Sequence, residues 1–451
     1  MDNTPGPVAA PSQPPQSGGQ DQYAPLTPTP LGGPVPPGST QQGYGQQPYG
    51  EGQVPARPAP GASNRAVLVT SGLALVGITM IGAGFLVGGE VSKFMTIGIQ
   101  FIPLAVLAAL AFAGVRNRSA SVMTYLWLAV LALGVLFLVG SYTVMGTVKD
   151  LRRFSQWLSN PREVPLSEAF RADAGMVVLL CIVLMSLVSL LSAAMLFRPV
   201  RVLVARVIPI DPDNFVHKIA LSFLTLVTLG SFLPLIVLGG QPPLLLLINA
   251  PATEGALGQA LDNAVRPQDL IYQFVWTIPA TFVAAGWPVA RKFKAVLERL
   301  GFVRPTLLQV VGAVAGGVAL AAVAAFGLDP AINQLWRSMG WGVTDVAAFG
   351  ELMSQLITPE GAVLIGVTAG VGEELAVRGL LQPRIGLIAS NLVFTSLHAF
   401  QYGADALLSV FIIGIVLGLI RMRTNTTTSA IVHGVYDFVL VMASTSLFMG
   451  Q

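Results

Sequence analysis

"MVVLLCIVLM", residues 176–185, carries no charge, no proline and no glycine, and the apolar run it belongs to extends over 176–197. About 20 residues of helix cross the hydrocarbon of a bilayer, so this run is long enough to span one. Cys181 sits in its middle as the single cysteine of the chain. A lone thiol forms no internal disulfide and argues against a zinc–thiolate site, so Cys181 reads as a small buried apolar side chain. Runs of the same kind recur at 66–88, 94–115, 120–146, 219–239, 270–290, 306–327, 360–382, 386–402, 404–420 and 427–448. The expected architecture is an all-α polytopic membrane protein, a bundle of about 8–11 transmembrane helices.

Composition agrees. The 451-residue chain is 53% hydrophobic and only 10% charged, with a mean hydropathy of +0.69, values foreign to a soluble globule. Its formal charge of +3 and pI near 9.1 do not point to nucleic acid, because the basic residues lie in short clusters between apolar runs and form no continuous stripe. Those clusters act as topology signals. With the N-terminus in the cytoplasm, the inside segments hold the larger share of Lys and Arg, which predicts a multi-pass protein of the cell membrane with a cytoplasmic N-terminus.

Residues 1–64 are of different material, rich in proline, glycine and glutamine, as in "QQGYGQQPYGEGQ" at 41–53. Such a segment cannot bury enough apolar surface to offset its ordering entropy, so a disordered cytoplasmic tail is expected; it has no signal-peptide pattern. "RKFKAVLERLGFVRP", 291–305, puts Phe293, Val296, Leu297 and Leu300 on one face and predicts a short interfacial helix. The loop 328–361, with Trp336 and Trp341, predicts amphipathic helices covering the core.

Ionisable residues inside the membrane are costly and cluster where they have work to do. Here they fall in the last spans: Glu373, Glu374 and Arg378 in "GVGEELAVRG" (371–380), His398 in "FTSLHAF", His433 and Asp437 in "HGVYD". Glu374 and Arg378, four apart, can pair on one helix face, while Glu373 is turned roughly 100° away and left to face a cavity. Phe394 with His398, and His433 with Asp437, are also four apart, so each pair shares a face. A carboxylate and two imidazoles can thus converge on a pocket opening towards the cytoplasm. A desolvated carboxylate with a nearby histidine can take a proton from water, and the other histidine with Asp437 can stabilise an oxyanion. For that, Asp437 must be protonated, or must act by orienting His433. The hydroxyls of Thr426 to Ser429 read as caps of the last helix. His217 reads as an ordinary interfacial residue.

At these residues the chain resembles the CPBP intramembrane proteases, which include the CAAX prenyl endopeptidases and bacterial bacteriocin-processing or self-immunity proteins. The motifs "EELAVRG", "FTSLH" and "HGVYD" occur in order inside membrane spans, over roughly 350–447. The resemblance implies that Glu373 activates water with His398 as partner, that His433 and the residue four beyond it form the oxyanion site, and that Glu374, Arg378 and Phe394 support them. Family members commonly carry asparagine where this chain has Asp437.

The expected organisation is a tail over 1–64, accessory transmembrane helices over 65–349 and a CPBP-type catalytic core over 350–451. The expected activity is endopeptidase hydrolysis, its substrate a membrane-embedded or lipid-modified peptide in the lipid bilayer. No cofactor is favoured. Zinc held by Glu373, His398 and His433 is the alternative, though the short HExxH spacing is missing. A proton-coupled transporter is a second class, disfavoured by the lack of an internal repeat, and a non-catalytic scaffold or immunity protein is a third.

Overall fold

The computed structural model describes Met1 and residues 62–249 and 266–449. The expected tail falls, from residue 2 to residue 61, outside the described residues. Helices dominate the rest, and among the described residues the one β contact is the isolated bridge between Val148 and Phe170.

The accessory part opens with α1 (Ala62–Val87), α2 (Gly89–Ile97) and α3 (Ile102–Gly114). The segment from Gly89 to Gln100 and α3 meet at a bend of 42°. Next come α4 (Arg118–Gly146), α5 (Ala174–Ala194) and α6 (Phe215–Val237). α4 starts where the Asn117 side chain accepts from Ala120 N at 3.0 Å, and α6 where Asn214 accepts from Val216 N at 2.9 Å. Between them Val139, Cys181, Met185, Val188, Leu226 and Leu233 interlock. Cys181 is buried there as a free thiol, 3.3 Å from the Thr143 hydroxyl.

α7 (Pro267–Ala284), the short α8 (Phe293–Leu300) and α9 (Leu307–Val323) lead towards the site. α8 buries Val296 and Leu300 as its pattern predicts, while Phe293 stays half exposed and stacks on Phe282 at 5.2 Å. α9 begins with a reciprocal capping box between Thr306 and Gln309, and α10 (Asp329–Ser338) prolongs it through a π-helical turn.

After a short helix at Val346–Leu352 come α11 (Pro359–Val367), α12 (Gln382–Leu397), α13 (Ala404–Arg423) and α14 (Thr426–Met449). Two π-helical stretches, Thr368–Glu373 and Leu375–Leu381, join α11 to α12. Gly386, at φ 81° and ψ 173°, breaks α12 near its start, a conformation that costs glycine little.

Every apolar run of the sequence therefore falls on helix. By length and composition, six of the described helices are able to cross a membrane, or seven with the bent pair as one span. α11 and α12 are shortened by the π turns and the break at Gly386, features that hydropathy does not register. Large apolar side chains face outward along these helices, among them Phe137 at 78% and Leu307 at 80% exposure. In water such faces aggregate; in lipid they are solvated.

Candidate active site

Two glycine contacts set the distance between the elements that carry the ionisable residues. A Cβ added at Gly370 would lie 2.6 Å from the Ala430 carbonyl oxygen, and one at Gly434 would lie 2.5 Å from that of Gly366. Gly366 and Gly370 thus face Ala430 and Gly434 as two small-residue stripes with four-residue spacing, and the backbones touch. This contact brings the π-helical stretch Thr368–Glu373, and Glu374 directly after it, against α14.

Glu374 is fully buried and fully engaged. Its Oε1 accepts from His433 Nδ1 at 3.1 Å and its Oε2 from the Ser429 hydroxyl at 2.6 Å. Arg378 Nε lies 3.6 Å from the same Oε2, so the pair legible in the spacing is formed. Arg378 is itself 1% exposed; its Nη2 donates to the Gly414 carbonyl at 3.0 Å and its guanidinium stacks over Phe394 at 4.9 Å. Two buried charges survive because they are paired and each is further hydrogen-bonded.

Phe394 is the hub. Its ring meets that of His398 edge-on at 4.7 Å and that of His433 at 6.2 Å, besides carrying Arg378. His398 Nδ1–H donates to the Phe394 carbonyl at 3.0 Å, and the imidazole stacks on Tyr402 at 5.8 Å with 7° between the planes. With the proton on Nδ1, Nε2 is left as the basic nitrogen. His433 Nε2 lies 3.4 Å from Asp437 Oδ2, so this imidazole bridges two carboxylates. Glu373 acts electrostatically on His433, Asp437 and Tyr402.

The side chains divide by access. Glu374, Arg378, Phe394 and His433 are buried, whereas Glu373, His398 and Asp437 are only partly covered. Three partners escaped the sequence reading. Ser429 was expected as a cap, but Asn425 does that work, accepting from Thr428 N at 2.8 Å. The Thr426 hydroxyl instead reaches Leu300 O at 2.7 Å and that of Ser429 reaches Glu374. The signal was present: Ser429, His433 and Asp437 recur every four residues on one face. Tyr402, under His398, and Tyr436, 6.5 Å from His433, complete the wall.

Glu373, His398 and His433 are the residues that the zinc alternative would use. Both ring nitrogens of His433 are turned to carboxylates, and among the described residues no three His, Cys, Asp or Glu side chains are arranged to hold a metal ion.

Fold and site together define a class: an integral membrane protein that is helical across its described residues, with a buried Glu–Arg–His constellation in its C-terminal bundle. Residues 358–439 match the family model described as type II CAAX prenyl endopeptidase Rce1-like. That match supports a CPBP-family protease, a CAAX-type intramembrane protease in general terms, over this region. No curated protein and no solved structure matches the chain.

Proposed function

We propose that the protein is a metal-independent intramembrane endopeptidase in which Glu373 is the general base. The observation that carries this reading is the division between the two adjacent glutamates: Glu374 has both oxygens committed, and Glu373 remains partly accessible. Glu373 takes a proton from water, and the resulting hydroxide attacks the carbonyl carbon of the scissile amide. His398, basic at Nε2, shares that proton and returns it to the departing amine as the C–N bond breaks. His433 steadies the oxyanion through Nε2–H, whose 3.4 Å separation from Asp437 is long enough for a substrate oxygen to compete. Asp437 holds the imidazole in line before substrate arrives.

Substrates of this site are membrane-associated or lipid-modified peptides, since the groups lie among apolar helices. The pocket opens to the cytoplasm of a cell whose plasma membrane holds the chain, the N-terminus being inside. The test is cleavage of a membrane-tethered peptide library in liposomes by the native protein, by Glu373→Ala, His398→Ala and His433→Ala, with and without chelator. Loss in all three variants with indifference to chelator is the expected result. Chelator-sensitive cleavage restored by zinc would reverse the metal-independent assignment, and a native protein that cleaves nothing would sink the reading.

A further inference from the structure

A second cluster of charge lies away from the catalytic groups. Arg116, Arg291, Lys292, Arg299 and Arg384 line one cavity of about 1070 Å³. Among its described lining residues the one carboxylate is Asp213, which is already engaged by Arg198 at 2.7 and 3.0 Å. Those hydrogen bonds hold the Asp213 carboxyl below its ordinary range. Arg116, Lys292 and Arg299 make no ion pair among the described residues, and Arg299 buries its Nε without a hydrogen-bond partner.

Two of the guanidinium groups are held in place. Arg291 Nη1 donates to Ala285 O at 2.7 Å and its guanidinium lies 5.5 Å from the Phe112 ring, while Arg384 Nη1 donates to Leu380 O. Arg299 and Arg384 both act electrostatically on His217, which also lines the cavity. Like charges gathered round one space repel unless an anion shares them. Planar guanidinium groups fit phosphate oxygens best.

The position of the cavity narrows the source of that phosphate. Arg116 lies between α3 and α4, Phe215 opens α6, and Trp287 follows α7, so the walls are ends of apolar helices. Trp287 and Phe293, 6.2 Å apart, add the aromatic surface typical of headgroup depth. We propose that this cavity binds the phosphate group of an anionic phospholipid, and that the bound lipid ties the accessory helices to α12. Arg384 lies ten residues beyond Glu374, past the π-helical stretch Leu375–Leu381, and none of Glu373, Glu374, His398 and His433 lines the cavity, so the occupant braces the segment bearing the glutamates without entering the site.

The test uses the full-length protein in phosphatidylcholine nanodiscs doped with phosphatidylglycerol. Retained lipid is read by native mass spectrometry for the native chain, for Lys292→Gln with Arg299→Gln, and for a charge-matched control, Arg152→Gln with Arg162→Gln, both exposed residues. The expected result is a fall of about tenfold or more in retained phosphatidylglycerol for the cavity variant, with phosphatidylcholine and the control unchanged. Unchanged retention in the cavity variant, or an equal fall in the control, overturns the proposal. Should the variant fail to fold, the native chain decides: its melting temperature should rise with phosphatidylglycerol and not with phosphatidylcholine, and no rise refutes the site. Displacement of the lipid by millimolar inorganic phosphate, with the same rise in melting temperature, would assign the cavity to a soluble phosphate and overturn the lipid assignment.

Discussion

Glu373 and Glu374 are neighbours in the chain with opposite surroundings, and their variants should separate accordingly. Glu373→Gln removes a base but no partner of the buried network, so cleavage should fall by about 10²–10⁴ while thermal unfolding stays close to native. Glu374→Gln strands Arg378, whose loss of a buried partner costs about 3–5 kcal/mol, and its melting temperature should drop together with its activity. Differential scanning fluorimetry beside a cleavage assay tells the two apart; equal loss of stability in both would contradict the division of roles. Asp437→Asn keeps the shape and adds a donor near the oxyanion, so activity should persist, whereas Asp437→Ala should lose about 10²–10³ in kcat. A dead Asp437→Asn would show that the charge itself is required. The pairing of Glu374 with Arg378 was legible because four-residue spacing alone defines it. The bond from Ser429 was not, since it depends on which helix α14 meets.

At the scale of the element, the decisive feature is a close approach of two backbones. Gly366 and Gly370 on one side and Ala430 and Gly434 on the other leave no room for a larger side chain. Gly434→Ala or Gly370→Ala should push α14 from the glutamate-bearing stretch, costing about 1–3 kcal/mol of stability. Because the bond between Glu374 and His433 crosses that contact, activity should fall by about 10²-fold, the loss expected for a shift near 1 Å. Native-like cleavage by Gly434→Ala would mean that the contact does not set the site. In the sequence these glycines look like any others of a membrane helix. The π-helical turns are equally silent there: the reading placed Glu373 by α-helical rotation, whereas the residue closes a π-helical stretch. π turns of this kind recur at functional sites in helices.

For the whole molecule, hydropathy alone predicted helices throughout, because runs of this length leave no other backbone that satisfies itself in lipid. It could not tell complete crossings from broken ones, as the break at Gly386 shows. Nor could it show how the accessory helices support the protease region. Phe282 and Ala285, at and just beyond the end of α7, cluster with Val296 and Leu300 of α8 and with Leu375. Thr426 N donates to Gly301 O at 3.1 Å, and Gly317 of α9 sits against Val432 and Val435. A chain cut to 350–451 should therefore neither fold nor cleave, while one beginning at 266 keeps these contacts and should retain measurable cleavage. Expression of both in liposomes, with protease protection and the peptide assay, checks this; a fully active 350–451 fragment would refute it.

The bare contact at Gly370 and Gly434 has a bearing on how the enzyme lives in a fluctuating bilayer. A spacing held by side chains varies with their rotamers; one held by touching peptide groups has no rotamers to vary with. Changes in bilayer thickness tilt helices at small cost. Here such a change must tilt the glutamate segment and α14 as a single lever, so the gap between carboxylate and imidazole acts as a fixed gauge that travels with the tilt.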